Sequence, residues 1–540
     1  MKAFTEPLLS LAGFEEMTKT AEKSSGLISV TGCIDAQKSQ MIYAFGGHRK
    51  NKLIVTFGEQ KAKELYDEYS FFDKEVVYYP SKDVLFYQSD IRGNLLTAER
   101  IRALKAIREQ ERVTLVTTFD ALMNTMAPIE KMWENVLTLE QGQLLDLKEI
   151  QAALIRMGYE KEYQVQTMGQ FSVRGGILDV FPLTEENPIR IELWGDEIDT
   201  IRYFDCESQK SIENTDRVSI YPAAELVLSD EEKAGGIEKL KAEAKRVSDK
   251  LRKQMKTEEA HRVTVMADEL TEEWGELSMY AGMDAFLSYF FDERVGLLDY
   301  FNPSDSLIFF DELTRCAEQG KLTETEFSES MKQRLAMGYI LPGQMNGLFT
   351  EKEIVAKLEK YSCIALGALD NKANGLHQLG SYGIHCQSVS PYNNSFELLI
   401  KDLKRYKKNG YRVILLSGSR TRAKRLSEDI TDQGITCFYT ENYDHELFEG
   451  QIMVCYGKVR RGFEYPILKF AVITESDIFG AQQKKKKRHR TYEGEKIQSF
   501  TDLSVGDYVV HENHGLGIYR GIEKLEVDKK VKDYIKIEYQ

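Results

Sequence analysis

The feature of this chain that most constrains its fold is the spacing of its apolar runs. Between residues 26 and 127 the short stretches GLISVTG, KLIVTF, EVVYYP and VTLVTT alternate with segments of helical periodicity such as residues 96–109. A short run that stays apolar at successive positions is buried on both faces, and a sheet gains two buried faces when helices cross over between parallel strands. This stretch therefore predicts a parallel α/β unit. At 540 residues the chain exceeds what one core can organise. A prior of roughly one domain per 150 residues makes it multidomain, with about three to five units.

The pattern then changes and returns. Residues 132–224 carry strand-like pieces (QFSVRGG, ILDVFP, IRIELWG, IDTIRYFD) joined at Gly, Pro and Asp turns, which predicts a small β-rich insertion. Residues 225–294 are charged and helical, after which GLLDYFNPSDSLIFFDEL resumes the helix-turn-strand rhythm, so the first lobe is interrupted and then completed. The first lobe reads as RecA-like. A second, small α/β block covers residues 392–480, with helices over residues 396–408 and 421–433 and strands at YRVILLSG, ITCFYT, QIMVCYG and KFAVITE.

The polar, basic stretch QQKKKKRHRTYEGEKIQ reads as a tether. Residues 503–540 alternate strand and turn signals as a small β-barrel does, and the last strand stops without a closing turn. Because an unpaired strand edge is a liability, the barrel is expected to be truncated here and to continue in a longer protein. The expected division is residues 1–127 for the first lobe, 128–224 for the insertion and 225–350 for completion of the lobe. Residues 351–480 follow as linker and second α/β domain, 481–498 as basic linker and 499–540 as the incomplete barrel.

A net charge of −14 excludes a surface that coats nucleic acid throughout, since phosphate binding needs clustered Lys and Arg; any such contact has to be local. The seven cysteines form no C-x-x-C pair and the eight histidines no H-x-x-x-H set, so no metal is expected. Reduced core thiols fit a cytoplasmic protein. No apolar run approaches the roughly 18 residues of a membrane span, and no membrane partner is expected.

After the strand GLISV, Gly32-Cys33-Ile34-Asp35-Ala36-Gln37-Lys38-Ser39 keeps the spacing of a phosphate loop, G-x-x-x-x-G-K-[ST], with Gln37 where the second glycine belongs. That glycine lets backbone N–H groups wrap a phosphate at a helix N-terminus; a Cβ there crowds the ligand, and Asp35 adds negative charge. A plain strand-to-helix turn accounts for the segment equally well. Asp311-Glu312, ending the strand SLIFF, stand where a second acidic motif would hold Mg²⁺, or else are solvated strand-end carboxylates. Arg461-Gly462-Phe463-Glu464-Tyr465-Pro466 echoes a helicase motif, yet no Q-x-x-G-R arginine finger follows it, so charge developing on a γ-phosphate would go unstabilised. The expectation is a chain without catalytic residues that binds ATP weakly or not at all.

Four stretches, in order over nearly the whole chain, carry a resemblance. They are the worn loop at residues 32–39, QFSVRGGILDVFP with IRIELWGDEIDTIRYFD, LLDYFNPSDSLIFFDEL, and VVHENHGLGIY. Together they resemble UvrB, the damage-verification subunit of bacterial nucleotide excision repair, and more closely the amino-terminal half of the transcription-repair coupling factor family. UvrB has an intact phosphate loop and a long aromatic DNA-clamping hairpin after a stretch similar to residues 76–87; here only residues 88–94 precede the next helix. UvrB also lacks a terminal module like residues 503–540, which are similar to the RNA-polymerase-interacting module of coupling factors and CarD-type regulators. The resemblance implies a degenerate RecA-like (UvrB-like) lobe, an inserted β-rich domain, a small second α/β domain and a truncated CarD/Tudor-like barrel.

It implies further that the insertion binds UvrA through Arg174, Arg190 and Glu192, with Lys161 a looser candidate. Arg190 and Glu192 lie two apart on a strand and project from one face, and Arg174 precedes a Gly175-Gly176 turn that can present its guanidinium to a carboxylate. Ser172 stands where UvrB has another arginine, which implies a weaker hold on UvrA at that point. Taken without the resemblance, all of these read as solvated strand charges. For the terminal module the resemblance implies strand addition to the RNA polymerase β subunit, with Glu512, Leu516, Ile518 and Tyr519 as contacts. His511 and His514 are too few ligands to hold a metal.

The run Lys484, Lys485, Lys486, Lys487, Arg488 and Arg490 is either a solvated linker or a contact to double-stranded DNA. The function implied is that of an adaptor that docks on stalled RNA polymerase and recruits UvrA. ATP, Mg²⁺ and most DNA contact would belong to a translocase motor outside this sequence. A UvrB-like DNA-repair ATPase and a CarD-like polymerase-binding regulator are the alternatives.

Overall fold

The computed structural model describes residues 1–45, 49–82, 94–276, 283–369, 375–480, 506, 508–511, 515–527 and 530–538. They fall into two units, Met1–Ala481 and Gln482–Gln540. The first unit is built on a seven-stranded sheet in the order Gln378–Gly383, Gly26–Thr31, Ser362–Leu366, Ser306–Asp311, Asn51–Thr56, Thr114–Thr118, Val77–Tyr79. Every neighbouring pair runs parallel. The alternation of a strand divides the apolar runs between two cores. Leu27, Leu53, Val55, Leu115, Ile308 and Phe310 point to one side, and Ile28, Val30, Ile54, Val116, Leu307 and Phe309 to the other. Double-sided burial is the reason these strands show no polar alternation in sequence.

Two strands of this sheet lie beyond residue 350, where the first lobe was expected to end: Ser362–Leu366 sits between Gly26–Thr31 and Ser306–Asp311, and Gln378–Gly383 forms an edge. A second, mixed sheet has the order Gln387–Ser388, Phe463–Tyr465, Phe470–Thr474, Arg412–Ser417, Ile452–Tyr456, Phe438–Tyr439. One of its faces, through Ile414, Leu416, Met453, Cys455 and Val472, joins the same core as Ile28 and Phe309. Its other face packs Val413, Leu415, Val454 and Ile473 with Leu399 and Leu403 of the helix Phe396–Lys408 and Leu426 of the helix Arg420–Asp432. Both helices fall within a residue or two of the positions expected from sequence. The stretch ITCFYT keeps only Phe438–Tyr439 as strand.

The insertion is a six-stranded sheet, in the order Ser211–Thr215, Glu197–Phe204, Ile189–Trp194, Ile177–Val180, Gln170–Arg174, Glu160–Lys161, beside a two-stranded ladder of Leu137–Glu140 and Arg217–Ile220. Its exit is fastened at Glu225. Arg100, fully buried, donates from Nε and Nη2 to the Glu225 carboxylate at 2.7 and 3.0 Å and from Nη1 to the Pro80 carbonyl at 2.6 Å. Burial alone would raise the Glu225 pKa, but Arg100 and Lys82 overcome it and hold the group down at about 2. The helices Asp230–Lys253 and Thr257–Glu276 then pair around Leu240, Ala244, Val263 and Trp274, the first begun by a Ser229–Glu232 capping box.

The second unit is an antiparallel meander of Tyr508–His511, Gly515–Val527 and Lys530–Glu538. Among the described residues no helix is long and apolar enough to cross a membrane.

Candidate docking face and a closed phosphate loop

On the inserted sheet the strand period sorts the side chains into two faces. Phe171, Leu178, Val180, Ile189, Ile191, Ile198 and Ile201 pack inward, where Leu154 of the helix Leu147–Arg156 meets them. The opposite face carries a polar ladder set by register: Ser172 is paired with Asp179, Asp179 with Arg190, and Arg190 with Arg202. Asp179 is buried and holds both expected arginines. Arg190 donates from Nε and Nη2 to its two carboxylate oxygens at 2.7 and 2.8 Å, and Arg174 donates from Nη2 at 2.8 Å. Arg190 also reaches Gln209 and lies over the Phe204 ring, 4.3 Å from its centroid.

The sequence placed Arg190 and Glu192 on one face as adjacent opposite charges, and the face is as expected, but each charge already has an internal partner. Glu192 accepts from both Arg202 Nη atoms and from Thr200 Oγ1. Of the two arginines on Asp179, Arg174 keeps 36 % of its side chain exposed against 12 % for Arg190, which leaves guanidinium donors for a second partner. It stands at the Gly175-Gly176 turn, where Gly175 adopts φ +60°, a conformation that a Cβ resists. Lys161 is exposed on the edge strand and donates to Gln151 Oε1 at 2.7 Å. Ser172 is buried, with its Oγ donating to the Tyr163 carbonyl at 2.7 Å.

Sequence reasoning missed Asp179, the group on which the face is organised. A lone carboxylate inside the apolar run ILDVFP was the available signal. It also missed the exposed rings of Trp194 and Tyr163.

The segment at residues 32–39, where a phosphate-loop spacing was read, is packed from within. Gly32, at φ +77°, is so tightly placed that an added Cβ would meet the Ile384 carbonyl oxygen at 2.1 Å. Gln37, where the family of such loops has glycine, is wholly buried on the helix Asp35–Phe45, and Tyr465 from the second sheet donates to Gln37 Oε1 at 3.2 Å and Gln40 Oε1 at 3.3 Å. Lys38 is 1 % exposed. Its ammonium donates to Asp311 at 2.6 Å, Glu312 at 2.8 Å and Asp35 at 3.2 Å. Burial depresses the Lys38 pKa and Asp311 with Glu312 more than reverses this, so the group stays charged. Asp311 accepts a further bond from Thr56 Oγ1 at 2.9 Å. Asp311 is thus a buried ion-pair partner, not a solvated strand-end carboxylate. The three carboxylates are close enough to one another to share a cation, and the ammonium of Lys38 sits among them. Ser39, also buried, has no partner for its Oγ among the described residues.

In the terminal meander, Ile518 is half-buried and Tyr519 is buried, paired in register with Tyr508 and Ile537 respectively. Leu516 lies opposite Val510 on the ladder. Glu512 and Lys484, Lys485, Lys486, Lys487, Arg488 and Arg490 lie outside the described residues.

Residues 137–226, which span this inserted sheet, match the UvrB interaction domain family, and residues 503–540 match the CarD-like/TRCF RID domain family. The transcription-repair-coupling factor of Bacillus subtilis is 30 % identical over 490 residues, covering 90 % of this chain and 41 % of that protein. Those of Staphylococcus haemolyticus and Staphylococcus aureus strain USA300 are 29 % identical over 525 residues and 28 % over 542, covering 95 % and 98 % of this chain and 43 % and 44 % of theirs. The chain is a relative of the transcription-repair-coupling factors. It spans about two fifths of the length of the curated relatives it matches. The match bears out the resemblance carried by the four sequence stretches, and it favours a coupling factor over a stand-alone UvrB-like ATPase or a CarD-like regulator.

Proposed function

We propose that this chain is the docking part of a coupling factor: it binds RNA polymerase through its terminal meander and UvrA through the polar face of its inserted sheet, so linking stalled transcription to excision repair. The observation that carries the reading is the coincidence of the matched interaction domain with a face on which one buried carboxylate fixes two arginines. A guanidinium held by one carboxylate and still open to a second is pre-ordered for a partner's acidic group, which lowers the entropic cost of binding. Arg174 is the proposed centre, with Arg190 and Glu192 as its electrostatic frame, Lys161 at the edge, and Trp194 supplying aromatic area of the kind that binding hot spots favour.

Arg174→Ala is expected to weaken binding to purified UvrA by about 1–3 kcal/mol, read by calorimetric titration. An affinity equal to that of the parent would remove Arg174 from the interface.

In the same reading the first sheet is a RecA-like lobe whose nucleotide pocket has been taken over by Gln37, Lys38 and Tyr465, and residues 1–540 bind ATP weakly or not at all. Saturable micromolar binding of a fluorescent ATP analogue would refute this. The terminal meander would be part of a CarD/Tudor-like barrel that adds a strand edge to the polymerase β subunit. There Glu512, Leu516, Ile518 and Tyr519 are the proposed contacts; the strand that carries Tyr519 is flanked by Tyr508–His511 and Lys530–Glu538, so the edge itself would come from one of those two strands. Double-stranded DNA would be engaged mainly by a motor elsewhere in the full protein, with the run Lys484 to Arg490 as tether or auxiliary contact.

A further inference from the structure

The second sheet carries a concentration of positive charge that neither docking role uses. Three of its strands run parallel and finish at the same edge: Ser417 is paired in register with Tyr456, and Leu416 with Thr474. From that edge leave two basic segments. One is Ser419-Arg420-Thr421-Arg422-Ala423-Lys424-Arg425, which begins the helix Arg420–Asp432; the other is Gly457-Lys458-Val459-Arg460-Arg461. All of their Lys and Arg residues are exposed. The two segments lie side by side, with Gly457 N donating to the Ser417 carbonyl at 3.0 Å and the Arg420 guanidinium 5.7 Å from the Tyr456 ring centroid.

The charge balance here is lopsided. Arg420 pairs with Glu441, Arg422 with Glu475 and Arg460 with Glu64. Lys424, Arg425, Lys458 and Arg461 have no ion-pair partner among the described residues. The helix has no acidic residue in its first turn, and two arginines there face the positive end of the helix dipole, an arrangement that costs stability. On a chain of net charge −14 these cations form a local positive surface: Glu428 and Asp429 stand one turn further along the helix without closing an ion pair to Lys424 or Arg425, and Arg461 acts on the buried Asp477 only at a distance. Glu475 shows what the edge accepts: its carboxylate takes bonds from Ser417 Oγ at 2.9 Å, from Gly418 N at 2.7 Å and from Arg422.

We infer that this edge is a binding surface for the phosphate backbone of double-stranded DNA, sequence-independent and carried by Lys424, Arg425, Lys458 and Arg461. Exposed cations on long side chains, flanking hydroxyls and backbone N–H groups are the donors that phosphates take, and two basic segments side by side suit a row of phosphates more than a single carboxylate. No base-reading element accompanies them among the described residues, so the surface positions the protein without selecting a site. It is separate from the inserted sheet, and it stands whether or not that sheet binds UvrA.

The test is fluorescence anisotropy of a labelled random-sequence 30-base-pair duplex against the whole 540-residue chain over a series of salt concentrations. Lys424→Ala, Arg425→Ala, Lys458→Ala and Arg461→Ala combined should flatten the plot of log affinity against log salt by roughly one for each phosphate that is no longer neutralised. Lys424→Arg with Lys458→Arg, which keeps the charge, should leave the slope unchanged. The circular dichroism melt of the quadruple variant, all of whose changes are at exposed positions, should match that of the parent. A parent slope near zero overturns the proposal, and so does a quadruple variant with the parent's slope. Loss of binding to poly-glutamate with duplex binding intact would assign the edge to an acidic protein and overturn it as well.

Discussion

Two buried aspartates in this chain are paired with basic side chains, one with a single lysine and the other with two arginines, and the two arrangements do opposite things. At Asp311 the cation is Lys38, itself 1 % exposed and surrounded by Asp35, Glu312 and the packed helix Asp35–Phe45. At Asp179 the cations are Arg190 and Arg174, and Arg174 keeps 36 % of its side chain in water. A point charge with three donors can be consumed entirely by three carboxylates; a planar guanidinium with five donors can satisfy one carboxylate and still offer an edge. The first site is an internal cluster in which the one cation is fully engaged. The second remains a surface, held in shape by the carboxylate beneath it.

The comparison breaks most readily at Lys38. Lys38→Met leaves Asp311 charged and buried without its cation, and the expected loss is about 3–5 kcal/mol in denaturant unfolding. Adding Asp311→Asn removes the orphaned charge and should return most of it. A loss below about 1 kcal/mol would mean that water reaches the loop, and the description of a sealed site would be wrong.

A smaller effect is expected from Glu68, which lies in the same region without a dedicated cation. Burial pushes its pKa up from 4.5 to about 7, with Arg460 and Lys61 opposing. Because the folded value lies above the unfolded one, the neutral form is favoured by folding. The contribution is complete below about pH 4.5 and is lost as the pH rises towards 7, roughly 3 kcal/mol over the window. Glu68→Gln should flatten the stability of the first unit across pH 4.5–7. An unchanged pH profile would place Glu68 in water.

How much of this was legible in the sequence depends on whether the deciding interaction is local. The parallel first sheet, the β-rich insertion and the helices of the second sheet were readable, since periodicity and turn residues act within a few positions. Ser362–Leu366 was not, because what assigns it to the first sheet is its pairing with Gly26–Thr31 and Ser306–Asp311, strands far from it in sequence. The Gln37 defect was visible as a missing glycine, but its consequence, the bonds from Tyr465 more than four hundred residues away, was not. On the inserted sheet the arginines were readable as charges, whereas their partner Asp179 required the register of three strands.

At the proposed docking face, Asp179→Ala should cost about 1–3 kcal/mol in stability, less than at Lys38, since Arg174 can turn to water once released. It should also reduce affinity for UvrA, because the guanidiniums would no longer be fixed. If stability falls while affinity holds, the carboxylate is structural only.

The smallest effect belongs to Glu192. Its pairing with Arg202 is partly exposed on both sides, and such pairs are worth about 0.2–1 kcal/mol. Glu192→Gln keeps an acceptor for Arg202 and Thr200 and removes only the charge, so unfolding should shift by no more than that amount. Its effect on binding is the sharper measure. A carboxylate that merely balances Arg202 would leave UvrA affinity in step with the small stability change, while one that faces a basic group of the partner would weaken binding more than folding. Calorimetric titration and a thermal melt on the same sample separate the two, and they decide whether the negative half of this ladder is part of the interface or only its support.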